Sequence, residues 1–182
     1  MCSQQATYKV MVGRFNVGQQ TVVQSCNGDT LKITVHSDVK LHLGFTNYIT
    51  YNQKAVYYKN QLLFSNVEIQ RNQVTQSHCS TQWTGTYYTI NLDGKKSRYN
   101  KPITLSGTRL YFEQPVKNQE VFSESDGKMK NLALKPNGEY ELSHPGEKAK
   151  NSYHYKNGVL QKTTIHHPLI SFSTELLHYH SP

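Results

Sequence analysis

Between residues 31 and 43 apolar and polar side chains alternate in one phase. Leu31, Ile33, Val35, Val39, Leu41 and Leu43 share one parity, broken only by Ser37, while Lys32, Thr34, His36, Asp38, Lys40 and His42 share the other. Successive side chains of a strand point to opposite faces, so this run predicts a strand with one dry and one wet face. A strand of that length suits a barrel or a strongly curved sheet better than a compact sandwich.

The punctuation agrees. Asn27-Gly28, Asp93-Gly94, Asp126-Gly127, Asn137-Gly138 and Asn157-Gly158 are hairpin-turn dipeptides, built from residues that tolerate positive φ. Asn60-Gln61 and Asn72-Gln73 read as weaker versions. Between them lie β-rich runs over 6–15, 18–26, 29–43, 48–59, 62–71, 74–84, 86–92, 95–100, 108–113, 128–135, 138–143, 150–156, 159–167 and 169–179. Many short strands at near-regular spacing predict an all-β chain. The expected fold is a single antiparallel, strongly curved sheet forming a large barrel or half-barrel, one domain over 1–182 with 1–5 a loose terminus. Residues 114–126 are the least β-like stretch and are read as a long loop or a short helical excursion, with a plain connection favoured over a lid. Helical periodicity is absent, and the chain has only four Ala.

Composition narrows the function classes. The chain has 182 residues, enough to bury a core without staples, and its 13 Tyr and β-branched residues exclude disorder. The net charge of +8 raises the question of nucleic acid or anionic lipid. The densest basic runs, Lys95-Lys96-Ser97-Arg98 and Lys128-Met129-Lys130, fall short of a binding tail and are read as solvated loops and strand faces, so no nucleic-acid partner is expected. No apolar run reaches the length of a membrane-spanning helix. Met1-Cys2-Ser3-Gln4-Gln5 looks like the start of a mature chain in which Cys2 is lipid-anchored, with an incidental cysteine in a frayed end as the alternative. Cys26 and Cys79 are expected as buried or half-buried thiols, and a disulfide between them needs adjacent strands.

Catalytic constellations are thin. His166, His167, His178 and His180 offer imidazoles near the C-terminus, but surface histidines are the expected reading and no metal is assigned. His78-Cys79 points its two side chains to opposite faces, and Glu139 and Glu141 read as the wet face of a strand. His36 or His154 beside a carboxylate and a cavity is what an enzyme would need. No catalytic residue and no cofactor are assigned. The richer signal is aromatic: Trp83, Tyr99, Tyr111, Phe112, Tyr153 and Tyr155 are candidate ligand-binding residues, because tyrosine presents a flat apolar body with a polar tip. Core filling is the competing reading. Finally, Tyr58-Lys59-Asn60-Gln61-Leu62-Leu63 echoes Tyr155-Lys156-Asn157-Gly158-Val159-Leu160 at an offset of 97, as equivalent hairpins in a pseudo-symmetric barrel would.

Several stretches carry a family resemblance. Tyr8-Lys9-Val10-Met11-Val12-Gly13 with Val17-Gly18, the hairpin Tyr57-Tyr58-Lys59-Asn60-Gln61-Leu62-Leu63-Phe64-Ser65, Leu110-Tyr111-Phe112-Glu113-Gln114-Pro115, and Asn151-Ser152-Tyr153-His154-Tyr155-Lys156-Asn157-Gly158 are the segments concerned. They resemble an uncharacterised group of exported bacterial β-rich proteins, found especially in Bacteroidota and distantly like lipoprotein-carrier or lipocalin-like barrels. Asn60-Gln61, in place of Asn-Gly, departs from the pattern. The resemblance implies export to the periplasm or outer membrane and transfers no site residue. The expected function is non-enzymatic binding of a lipid-like or amphipathic small molecule in a barrel cavity. The alternatives are a cyclase, isomerase or hydrolase on the same barrel, or a structural or interaction protein with a filled interior.

Overall fold

The computed structural model describes residues 3–116, 119–143, 150–166 and 171–181, with the backbone alone at Leu43. Fourteen antiparallel strands form one sheet. The first eight are β1 (Gln4–Val12), β2 (Phe15–Asn27), β3 (Thr30–Leu43), β4 (Phe45–Tyr58), β5 (Gln61–Arg71), β6 (Val74–Trp83), β7 (Tyr88–Leu92) and β8 (Lys95–Tyr99). They form a continuous meander. Residues 100–116 then leave the sheet, and β9 (Gln119–Ser123), β10 (Lys128–Leu134), β11 (Tyr140–Ser143), β12 (Asn151–Lys156), β13 (Val159–Ile165) and β14 (Phe172–His180) form a second meander. β14 pairs with β1, so the sheet runs from β8 through β1 and β14 to β9.

The sheet curls without closing its hydrogen-bond ladder, and its edge regions come together. A Cβ on Gly127, in the β9–β10 turn, would meet Ile90 Cγ2 of β7 at 2.5 Å and Cys79 Sγ of β6 at 3.8 Å. Each free edge is protected. Residues 105–107 cover β9, with Gly107 N–H donating to Phe122 O and Phe122 N–H to Leu105 O at 3.0 Å each. β8 carries the basic run Lys95, Lys96 and Arg98 on an exposed edge, where like charges deter another strand from pairing.

Alternation explains which face turns inward. Ile33, Val35, Ser37 and Leu41 of β3 are buried, and Lys32, His36, Asp38, Lys40 and His42 are exposed. Ser37, the apparent break in the pattern, faces the interior between Gln20 of β2 and Tyr51 of β4, its partners in register. The hydrophobic core has two clusters. One centres on Tyr8, Val22, Ile33, Tyr57, Leu62, Tyr88 and Phe122, the other on Leu110, Val121, Leu132, Tyr140 and Leu160, and Tyr111 packs against both.

Several expectations are corrected. Residues 108–113 are not a strand: Arg109–Tyr111 is a single 3-10 turn in the segment that enters the curl. The stretch 114–126 contains β9, whose Val121, Phe122 and Ser123 are buried, so a segment rich in carboxylates still supplies a wall. Gln4 and Gln5 pair with Gln24 and Val23 of β2 rather than fraying. Cys79 is a buried free thiol and Cys26 is disulfide-bonded, so the two are not bridged to each other. Cys2 lies outside the described residues. The hairpin echo is real in space but is displaced by one position. The turns are Lys59-Asn60 and Asn157-Gly158, each is followed by a bulge at the start of the next strand, and Leu62 and Leu160 beyond them are wholly buried, an offset of 98.

Two hydroxyls within this core are wasted. Ser65 and Thr81 sit opposite each other on β5 and β6, fully buried, and neither hydroxyl has a partner among the described residues. A buried donor without an acceptor costs about 1–3 kcal/mol. Ser65→Ala and Thr81→Val are therefore expected to raise the free energy of urea unfolding by about 1 kcal/mol each. A loss of similar size would mean that these hydroxyls bond something in solution.

Candidate functional site

The interior of the curl is threaded by residues 103–112. Leu62 N–H donates to Ile103 O at 2.8 Å, fixing the segment to the bulged start of β5. Tyr57 of β4 and Tyr155 of β12, equivalent in the two echoing hairpins, grip it from opposite sides. The Tyr57 hydroxyl bonds Ser106 Oγ and, at 2.8 Å, Thr108 Oγ1, while the Tyr155 hydroxyl donates to Leu110 O at 2.6 Å.

Glu124 completes this clamp. Its carboxylate is 2% exposed and accepts from the Ser106 and Thr108 hydroxyls and from the Thr108 N–H (3.1 Å) on one oxygen, and from the Gly107 N–H (3.0 Å) on the other. Gly107 is required for that approach, since a Cβ there would stand 2.9 Å from Glu124 Oε2. Burial pushes the carboxyl above its ordinary range, and the donors from Ser106 and Thr108 pull it back only in part. Enclosed and holding four donors from residues 106–108, Glu124 is turned toward the protein's own chain rather than toward a substrate. It is an anchor for the threaded segment.

Beside this anchor lies a belt of tyrosines. Tyr111 accepts a bond from Gln20 Nε2 at 3.0 Å and stacks at a tilt on Tyr8, 5.7 Å between ring centroids. Tyr51 donates to Gln53 Oε1 at 2.7 Å. Tyr153, 9% exposed, has no hydrogen-bond partner for its hydroxyl among the described residues. The three lie within electrostatic reach. Burial is the main cause that raises their hydroxyl pKa values; Tyr111 and Tyr153 then raise Tyr51 further, and Tyr111 raises Tyr153. Tyr111 is pushed up to about 12. At neutral pH all three are therefore protonated donors, suited to holding an acceptor and unsuited to nucleophilic or general-base work.

The six expected binding residues divide. Tyr111, Tyr153 and Tyr155 come together around the second core cluster. Trp83 and Tyr99 flank Tyr88 instead, at 4.7 and 6.4 Å between centroids, and Phe112 packs with them on the first cluster. Glu124 and Gln20 escaped the sequence reading, and Tyr51, one of its many strand tyrosines, is not among the six binding candidates. Ser123-Glu124-Ser125 and Ser106-Gly107-Thr108 are short polar runs in weakly patterned stretches, the one local signal that they carry, and only the curl brings them together.

Other candidates have plain structural roles. Glu141 accepts ion pairs from Lys150 and Lys135 at 2.8 and 3.1 Å, which hold its carboxyl below the usual range. Glu139 caps the turn at Asn137. His36 stands 56% exposed in a shallow groove on the outer face, its ring nitrogens against Asn52 Oδ1 (2.7 Å) and Asp38 Oδ2 (2.9 Å). Those bonds, Asn52 first, raise its pKa, and both ring nitrogens are engaged by Asn52 and Asp38 rather than free to face a substrate. His154, His178 and His180 are exposed, His166 contacts Ser171 Oγ at 3.2 Å, and His167 lies outside the described residues.

The comparisons with known proteins fit this picture. No curated protein matches the chain. Among solved structures, the β-barrel-like protein of the domain of unknown function DUF1849 from Brucella abortus superimposes with a TM-score of 0.63. The two are 10% identical, and the match covers 98% of this chain and 97% of the other. A likeness at that identity concerns the fold. The model of the domain of unknown function DUF6134 matches residues 8–177, nearly the whole curled sheet, and the chain accordingly belongs to the DUF6134 family.

Proposed function

We propose that this protein is a non-enzymatic component of the cell envelope that holds a lipid-like or amphipathic molecule inside its curled sheet, with the ligand's polar end against the hydroxyls of Tyr111 and Tyr153. The observation that supports this reading is Tyr153: a residue only 9% exposed whose hydroxyl has no acceptor among the described residues, near Tyr111, whose hydroxyl accepts from Gln20 and donates to none of them. Both hydroxyls are protonated donors at neutral pH, and a ligand's carboxylate, phosphate or carbonyl would accept from them. The disulfide at Cys26 supports an oxidising compartment, as export requires.

The test is native mass spectrometry of gently purified protein, with titration of a fluorescent fatty acid or phospholipid. Wild type is expected to carry or take up the probe, and Tyr153→Phe to weaken it about tenfold, the value of one lost hydrogen bond to a charged group. Absence of any bound or bindable probe would refute the reading. It would favour a filled-barrel interaction protein, which the buried Ile103 and Leu110 of the threaded segment already support as the second reading.

A further inference from the structure

The β1–β2, β3–β4 and β5–β6 hairpins all turn at the same end of the sheet, within residues 12–17, 40–48 and 70–76. Phe15, Phe45, Tyr48 and Val74 are there, each 56–63% exposed, and make up half of the eight large apolar side chains exposed among the described residues. Every exposed ring has a cation over it. The Arg14 guanidinium is 5.4 Å from the Phe15 centroid, the Lys40 ammonium 5.5 Å from Tyr48, and the Arg71 guanidinium 5.6 Å from Phe45. The three tips contain no Asp or Glu. Asp38, the next carboxylate down β3, is occupied by His36 and Thr50.

The rings do not share one face. Phe45 has the parity of the buried Asn47, so it belongs to the inner lip with Arg71, which bonds Asn47 Oδ1 at 2.6 Å, whereas Tyr48 and Lys40 face one another on the outer side. A flat protein partner would cover one side of such a lip. A medium that surrounds it can take both, and it must accept rings and cations at the same depth. The interface of an anionic bilayer has that chemistry: acyl boundary for the rings and headgroup phosphates for Arg and Lys.

We propose that these three hairpin tips form a docking surface for anionic lipid bilayers. The inference is separate from the interior binding reading, and its test measures a different quantity. Co-sedimentation would use vesicles of phosphatidylcholine alone and vesicles containing phosphatidylglycerol. Wild type is expected to bind the anionic vesicles at least about tenfold more tightly, with the difference shrinking as salt rises. Phe15→Ser with Phe45→Ser and Tyr48→Ser should weaken anionic binding about tenfold or more, and Arg14→Ser with Lys40→Ser should remove most of the anionic preference. Tyr58→Ser with Leu134→Ser, exposed at the opposite end, should leave binding unchanged. Equal binding to both vesicle types, or wild-type binding by tip variants of native circular dichroism, would overturn the proposal. Binding to neither would also overturn it and assign the tips to a protein partner. The probe titration above needs no bilayer, so failure of one test does not mimic failure of the other.

Discussion

Glu124→Ala is expected to lower the stability of this protein by about 3–5 kcal/mol, equivalent to a fall in the thermal midpoint of about 10 °C for a chain of this size. The reason is the number of donors left behind. The Gly107 and Thr108 amides and the Ser106 and Thr108 hydroxyls all converge on one carboxylate, and Tyr57 leans on the two hydroxyls from the other side. Without the carboxylate the Thr108 amide has no acceptor among the described residues, the Ser106 and Thr108 hydroxyls each lose one, and only the backbone bonds of Leu105 and Gly107 to Phe122 still hold the threaded segment to β9. Glu124→Gln should cost roughly half as much, because one side-chain oxygen remains but an NH2 group opposes an N–H. The pair also defines a pH dependence. The native carboxyl holds its proton more tightly than the unfolded chain does, so the native state binds the excess proton between the ordinary carboxylate value and the raised one. Wild-type stability, measured relative to Glu124→Gln by urea unfolding, should therefore fall as pH rises across that interval and level off above it. A flat difference between about pH 4 and about pH 8 would show that the donors compensate for burial completely.

Gly18→Ala is the second large effect. A Cβ on Gly18 would stand 2.0 Å from Asp38 O and 2.8 Å from Val39 Cα, backbone atoms of the neighbouring strand that no rotamer change can move. The register of β1 against β2 slips by one at this level, between Val10 and Met11, and β3 presses close on the other side. Accommodating a methyl group means separating β2 from β3, at a cost of about 3 kcal/mol. Gly94→Ala is the control. It has positive φ in the β7–β8 turn and nothing within 4 Å, so strain alone applies and the loss should be about 1 kcal/mol. Urea midpoints that rank the two variants equally would mean that the strands separate freely, and the close-approach explanation would fail.

These two sites mark the boundary of what can be read from the chain. The rhythm of residues 31–43 and the positive-φ turns at Asp93-Gly94 and Asn157-Gly158 specified strands, hairpins and a curved sheet, because side-chain parity and turn chemistry act over two to four residues. Even Ser37, which looked like an interruption, obeyed the parity. Local rules misled where the chain leaves the ladder: Leu110, Tyr111 and Phe112 have strand-like composition yet form a turn inside the curl, and the carboxylate-rich stretch around Glu120 proved to be an edge strand. Nothing near Glu124 in sequence announces Ser106, Thr108 or Tyr57, between 16 and 67 positions away, nor does Tyr153 announce Tyr51 and Tyr111. Those encounters depend on how far a fourteen-stranded sheet rolls and which segment it encloses, and both are set by packing among residues distant along the chain.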